Sequence, residues 1–325
     1  MATKEGIKVD KGRKWSLDSL SSYDGTAIRY GYYHGSQQNQ HTLILVNGRS
    51  EWIEKYHELY SQLGLKENCD ILTWDHRGQG SSGGYRAHVN SYEEFAKDGL
   101  EVIRQTIGTE ASYTILAHSM GGLITIYASL RGYFSPEQII LGSPLFMLPN
   151  TPMKRSIYIP IANLACHFNL GPYTLGIGGH LEPFSENTLT RSFRGYKKVA
   201  EGPYPSKSPS FGWISATKLA IDYIHSEENL VKLPCPTLVL GGSQEAVVDH
   251  KGFSTWVCKA HKASGQAVKF LNINGARHEI FNELPLTIQL ARAQILAWHK
   301  EIKVKSQAFQ NFPCMTLNYE RSPNA

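Results

Sequence analysis

No segment of this sequence approaches the roughly 20 consecutive apolar residues that a membrane-spanning helix needs. The N-terminal Met1-Ala2-Thr3-Lys4-Glu5 carries no apolar signal region. A cytoplasmic protein is therefore expected, with peripheral contact to a membrane surface left open. Cysteine is scarce: Cys69, Cys166, Cys235, Cys258 and Cys314 are scattered, odd in number and without metal-ligand spacing. A disulfide framework is excluded, and most of these thiols are expected to be buried in a reducing compartment. Histidines such as His34, His57, His88, His167 and His225 also lack ligand spacing, so no metal site is expected. A strong excess of either charge is missing too. The 33 basic and 28 acidic residues leave +5, and no basic run is long enough for a nucleic-acid-binding arm. A mildly cationic surface suits an anionic bilayer, but it suits solubility equally. No internal repeat is present. What remains is a chain of 325 residues with 41% hydrophobic content and six tryptophans, enough for a full core.

Local patterns alternate between strand and helix. Lys14 to Leu20 and Ala27 to Tyr33 flank the turn Tyr23-Asp24-Gly25, a hairpin signal. Strands follow at Thr42 to Val46 and Asp70 to Trp74. Between them Ile53 to Leu65 reads as a helix with Ile53, Tyr56, Leu59 and Leu63 on one face. Ser91 and Glu94 form a capping-box pair ahead of a helix from Tyr92 to Ile107. Strands at Tyr113 to Leu116 and Gln138 to Gly142 bracket another helix. Such a series predicts an α/β fold: a mostly parallel central sheet flanked by helices. The rhythm breaks between Ser143 and Pro234, where eight prolines run from Pro149 to Pro209 and glycines stand at Gly171, Gly176, Gly178 and Gly179. From Ser306 to Ala325 periodicity is lost, and a loose extension is expected.

Three segments carry the chemistry. Ala117-His118-Ser119-Met120-Gly121-Gly122 joins the apolar run Tyr113 to Leu116 to a helical pattern. A serine on such a strand-to-helix turn is forced outward, with small residues at its flanks because strand and helix approach closely. Ala117 replaces the first glycine of the usual G-x-S-x-G. Read without its surroundings, Ser119 would be an N-cap. Farther on, the strand Pro236 to Gly242 runs into Ser243-Gln244-Glu245, and Asp249 lies four residues later. The strand Val268 to Ile273 leads to Asn274-Gly275-Ala276-Arg277-His278-Glu279. Candidate groups thus stand past the carboxyl ends of strands, in the order serine, acid, histidine. A catalytic serine needs a base, and the base needs an acid that holds its tautomer. Glu245 is preferred as the acid, and Asp249, placed to cap the next helix, is the alternative.

The chain resembles the α/β-hydrolases of the monoacylglycerol lipase and bacterial lysophospholipase group over roughly residues 15 to 300. The resemblance rests on Leu45-Val46-Asn47-Gly48-Arg49, on Asp75-His76-Arg77-Gly78-Gln79-Gly80-Ser81-Ser82-Gly83, on the Ser119 turn and on Gly275-Ala276-Arg277-His278-Glu279. The Gly48-Arg49 step, with Leu189-Thr190 and Tyr196-Lys197-Lys198, favours the lysophospholipase branch. The resemblance implies a hydrolase core in residues 1–142 and 235–305, a helical cap inserted at 143–234, and an extension at 306–325. It also implies an oxyanion hole made by the backbone N–H groups of Arg49 and Met120. Asn47 stands where relatives often have histidine, but the donors are backbone groups. The Arg49 side chain reads as a surface cation or loop anchor ahead of a phosphate ligand. Asp75 and Arg77 read as parts of a hydrogen-bonded turn, and His118 as a pocket-lining residue too close in sequence to serve as base.

The function so implied is ester hydrolysis of a single-chain lipid, a lysophospholipid or a monoglyceride, through Ser119, His278 and Glu245, without metal or organic cofactor. The apolar groups between Phe146 and Trp213 suit either a cap core or a lipid pocket. A dehalogenase or epoxide hydrolase would carry aspartate at position 119. An aminopeptidase of the proline-iminopeptidase type would need acidic groups in the cap, for which Glu182, Glu186 and Glu201 are available. A small-ester carboxylesterase is the remaining alternative.

Overall fold

A computed structural model of the protein describes residues 15–35, 41–63, 69–150, 153–176 and 179–309. Its centre is an eight-stranded sheet. In chain order the strands are β1 (Trp15–Ser21), β2 (Ala27–Tyr33), β3 (His41–Val46), β4 (Asp70–Trp74), β5 (Ser112–His118), β6 (Gln138–Gly142), β7 (Thr237–Gly242) and β8 (Val268–Ile273). Their spatial order is β1-β2-β4-β3-β5-β6-β7-β8. β1 and β2 form the expected hairpin, β2 joins β4 antiparallel, and every pair from β4 to β8 is parallel. All residues of β6 and β7 are buried, as continuous apolar runs covered on both faces should be.

The helices are α1 (Leu59–Gln62), α2 (Tyr92–Thr106), α3 (Met120–Leu130), α4 (Arg155–His167), α5 (Phe193–Ala200), α6 (Phe211–His225), α7 (Glu227–Leu230), α8 (Lys251–Ser264) and α9 (Pro285–Phe309). One core layer holds Phe95 and Val102 of α2, Leu123 of α3, Ile221 of α6 and Trp256 of α8. The opposite layer holds Leu59, Leu63, Ile288, Ala291 and Trp298 against Trp15, Tyr33, Ile71 and Leu240. Helices α4 to α7 lie between β6 and β7. α6 buries Trp213, Ile214, Ala216, Ile221 and Ile224 in the same core as the sheet, together with Phe146, Leu148 and Ile159. Ile157, Phe168 and Tyr173 stay exposed. Among the described residues no helix is long and apolar enough to cross a membrane.

Four local expectations are corrected. The helix expected from Ile53 to Leu65 is a 3₁₀ turn at Ile53–Tyr56 followed by the four-residue α1, and Leu65 lies outside the described residues. Lys55 as well as Tyr56 turns inward, and His57 stacks on Trp15 at 4.9 Å, so no single apolar stripe exists to carry a regular helix. Ser91 does cap α2, accepting from Glu93 N, but Glu94 does not close the box; its carboxylate binds Arg77 Nη1 at 2.9 Å. The extension expected from Ser306 begins as helix, because α9 continues to Phe309; residues 310–325, Cys314 included, lie outside the described residues. The expectation that most cysteines are buried also fails: of the four described, only Cys69 and Cys235 are buried, while Cys166 is half-buried and Cys258 is exposed.

Candidate active site

β5 ends at His118 and α3 begins at Met120, so Ser119 alone makes the turn, at φ 52° and ψ −118°. A non-glycine residue at positive φ is strained and persists only when its surroundings over-determine it. Here Ser119 N donates to Gly142 O at 3.0 Å, while Ser119 O accepts from Gly122 N at 3.0 Å and Leu145 N at 2.9 Å. A Cβ at Gly121 would collide with the carbonyl oxygens of Val46 and Asn47, and one at Gly122 would lie 2.7 Å from Pro144 Cβ. Strand and helix therefore pack as closely as the motif suggested. Ala117 is fully buried in β5, paired with Leu141 and Val46. Ser119 makes no side-chain capping bond, so its hydroxyl is not spent on the helix.

That hydroxyl lies 3.0 Å from His278 Nε2, and His278 Nδ1 lies 2.8 Å from Glu245 Oε2. The backbone around each partner explains its position. Beyond β8 the chain turns at Gly275, and Gly275 N donates to Ser243 Oγ at 2.8 Å, tying the loops after β7 and β8 together. The second oxygen of Glu245 accepts from Val247 N at 2.7 Å and Val248 N at 3.1 Å, which fixes the carboxylate. Asp249 is engaged elsewhere. It accepts from Lys251 N at 3.1 Å, at the start of α8, and pairs with Arg155 Nη1 of α4 at 2.9 Å.

Electrostatics separate the members of this chain of bonds. Burial alone would raise Glu245, but the charge and hydrogen bond of His278, with two backbone N–H groups, hold it down at about 2. Burial alone would lower His278; Glu245 outweighs it, with help from Glu279 and Glu51, and the imidazole is raised above its ordinary value. The carboxylate therefore makes the imidazole a stronger base than it would be alone and stabilises the imidazolium once it forms.

The loop after β3 reaches the same place. Asn47 is buried and donates from Nδ2 to Trp74 O at 3.1 Å. Gly48 N donates to Glu51 Oε2, and Ser50 N to Gln79 Oε1. The N–H groups of Arg49 and Met120 have no hydrogen-bond partner among the described residues, which leaves both free as donors. The Arg49 side chain donates to Lys207 O at 2.7 Å and lies over the Trp213 ring at 5.4 Å.

Behind the histidine is a buried charged group that sequence reading missed. Lys55 Nζ is 2.6 Å from Glu51 Oε1 and 2.7 Å from Glu279 Oε1, and Tyr56 Oη donates to Glu51 Oε2 at 2.7 Å. Burial would raise Glu51; Lys55, His118 and Tyr56 lower it to about 2. Burial would lower Lys55, and Glu279 and Glu51 raise it. Signals existed: Glu51 and Lys55 stand four apart, and Glu279 directly follows His278. His118 donates from Nδ1 to Gly142 O at 3.0 Å, and its Nε2 is 3.8 Å from Glu51.

Asp75 and Arg77 are engaged in structure. Asp75 accepts from Ile53 N at 2.9 Å and Ser81 N at 2.8 Å. Arg77 grips Asp98 with two bonds, at 2.6 and 2.7 Å, and also meets Asp24 and Glu94. Among the described residues no three His, Cys, Asp or Glu side chains are grouped as a metal site requires.

The sheet order, with its strand-turn-helix at Ser119, is that of the α/β-hydrolases. The family model described as serine aminopeptidase, S33 (Hydrolase_4) matches residues 37–285, and the chain belongs to this family. Lysophospholipase L2 of Escherichia coli (strain K12) is 31% identical over 298 residues, covering 86% of this chain and 85% of the relative. Monoglyceride lipase of Rattus norvegicus is 25% identical over 289 residues, covering 87% and 89%. The crystal structure of a soluble variant of monoglyceride lipase from Saccharomyces cerevisiae, in complex with a substrate analog, shares the fold. Its TM-score is 0.74 at 19% identity, with 90% of this chain and 96% of that chain covered.

Proposed function

We propose that this protein is a serine hydrolase that cleaves the carboxylic ester of a single-chain lipid, with Ser119 as nucleophile, His278 as base and Glu245 as the acid. The observation that carries the reading is the continuous line from Ser119 Oγ through the His278 ring to Glu245, at 3.0 and 2.8 Å. His278 Nε2 takes the hydroxyl proton as Ser119 attacks the ester carbonyl, and Glu245 stabilises the imidazolium. The oxyanion accepts from the N–H groups of Arg49 and Met120. On collapse the C–O bond breaks, and His278 returns its proton to the leaving alcohol. Water then attacks the acyl-serine, gives its proton to His278, and the fatty acid leaves as Ser119 recovers the proton.

The substrate class draws on the relatives named lysophospholipase L2 and monoglyceride lipase. Residues 143–234 act as the cap over this site. Exposed Ile157, Ile161 and Leu164, spaced three to four apart on α4, with Phe168 at its C-terminal cap, support a cap face that rests on a lipid surface. The aminopeptidase reading is weaker, because Glu182, Glu186 and Glu201 are all solvent-exposed and make no buried receptor for an α-amine. The test is turnover of lysophospholipid, monoglyceride, short aryl esters and aminoacyl anilides by the parent and by Ser119→Ala, with fluorophosphonate labelling. Ester turnover lost in the variant, with the label on Ser119, is expected. Labelling of another serine, or anilide turnover alone, overturns the reading.

A further inference from the structure

Most of the described arginines pair with at least one carboxylate; Arg29 meets Glu54 and Asp75, and Arg77 meets Asp24, Glu94 and Asp98. The oxyanion loop breaks that pattern. Arg49, Arg86 and Lys207 line one cleft with Gln79 and Tyr204, and none of the three cations pairs with a carboxylate among the described residues. Arg49 is held by Lys207 O and the Trp213 face. Arg86 is held by Gly80 O at 2.9 Å and lies 6.0 Å over the Tyr204 ring. Backbone carbonyls and aromatic faces orient a guanidinium without neutralising it, and both leave N–H donors unused. Arg86 and Lys207 are exposed and the space between the lining residues is only about 10 Å³, so an anion would rest across the mouth of the cleft, where its charge offsets those of the cations around it. Burial pushes Arg49 below its ordinary pKa, and only the Tyr92 hydroxyl works in the other direction.

The cleft is next to the chemistry. Arg49 itself carries an oxyanion N–H. Gln79 Nε2 lies 3.9 Å and Trp213 Nε1 3.3 Å from the sulfur of Met120, the residue after the nucleophile. Lys207 comes from the cap segment, whereas Arg49 and Arg86 come from loops of the core, so the cleft closes only where the two meet.

We propose that this cleft binds the phosphate of the substrate head group, so that a lysophospholipid is preferred over the matching monoglyceride. The inference rests on the ester-hydrolase reading above. With the scissile carbonyl at Ser119, the glycerol unit spans from the oxyanion loop to the cleft. Arg86 and Arg49 supply planar N–H forks to the phosphate oxygens, and Lys207 adds a point charge.

The experiment compares 1-acylglycerol 3-phosphate with 1-monoacylglycerol of the same chain, below aggregation, in the full-length parent, Arg86→Gln, Lys207→Gln and the double variant. The two esters differ by the phosphate alone. The ratio of their kcat/KM values should fall about tenfold in each single variant and further in the double, as for a lost charge-assisted bond. Arg86→Lys should recover part of the ratio, and melting temperatures control for folding. An unmoved ratio in folded variants overturns the proposal. If the parent cleaves neither ester, the ester-hydrolase reading fails first. Glycerol 3-phosphate should inhibit monoglyceride cleavage better than inorganic phosphate. Equal inhibition by both, with the ratio unmoved, makes the cleft a free-anion site and removes the lipid assignment.

Discussion

The rings of His118 and His278 lie 4.8 Å apart, yet their proton affinities are driven in opposite directions. Burial pushes His118 down to about 4, with Glu51 offsetting only part of the effect, whereas Glu245 holds His278 above its ordinary value. His118 is therefore neutral through the working range. It adds no positive charge beside His278 in the proton transfer from Ser119 proposed above. Two imidazoles can share one pocket because only one of them charges.

The first prediction concerns pH. The base must be unprotonated to act, and His278 is raised, so kcat/KM for a soluble aryl ester should climb with pH through a pKa above 6.5. Glu245 is the largest influence that raises His278. In Glu245→Gln the ascending limb should therefore move to lower pH while the plateau falls. A full pH profile for both proteins checks this, and a limb that stays in place would remove Glu245 from contact with the base.

The second concerns the two acids. Glu245→Gln should lower kcat by about 10⁴-fold with the melting temperature nearly unchanged, the loss expected when the imidazole has the wrong tautomer. Asp249→Asn should keep most activity and lose about 1 kcal/mol, because Asp249 accepts from Lys251 N and pairs with half-exposed Arg155. Rate and thermal denaturation are measured on both; inactivity of Asp249→Asn would reverse the assignment.

The third concerns the Ser119 turn. The methyl of Gly121→Ala would be driven into the backbone carbonyls of Val46, fixed by sheet pairing, and of Asn47, held by His76 Nε2. A loss of about 2 to 3 kcal/mol in urea titration is expected, within the usual range for overpacking. Because those carbonyls lead into the loop proposed to carry an oxyanion donor, activity should fall as well. A variant as stable and active as the parent would show that strand and helix are farther apart than described.

The fourth concerns the buried cluster. Glu51 is depressed to about 2 from an ordinary 4.5, so its stabilisation is complete above pH 4.5 and fades as pH falls towards 2. Lys55 is raised, so its contribution holds at neutral pH and fades at the alkaline end. Glu51→Gln breaks one arm of the pair and should cost about 3 kcal/mol at pH 7, while flattening the acid side of the stability curve. Denaturant midpoints between pH 3 and 8 test both statements; an equally steep acid limb in the variant would contradict them.

Much of this was legible in the chain itself. Ser119, Glu245 and His278 each follow a strand, and a strand followed by a tight turn is a local pattern. What escaped was non-local. Lys55 bonds to Glu279 across 224 positions, and no periodicity records such a partner. A helix from Ile53 to Leu65 would bury only Ile53, Tyr56, Leu59 and Leu63, yet the nearby Glu51 and the distant Glu279 draw Lys55 inward as well, and the helix breaks. The same effect undid the Ser91–Glu94 box, where Arg77, from the loop after β4, claims Glu94 before it can turn back to Ser91. Local propensity gave way in both places to a buried cation that needed a counter-charge.

The Ser119–His278 bond joins residues 159 positions apart, and β5, β7 and β8 must all be in register before it can form. Closing so long a stretch of chain is an entropic cost that folding meets late, after the local hairpin and helices exist. A partly assembled chain therefore carries an inert serine. Ester turnover recovered on dilution from denaturant would mark the last step of assembly, and should lag behind the return of helical signal.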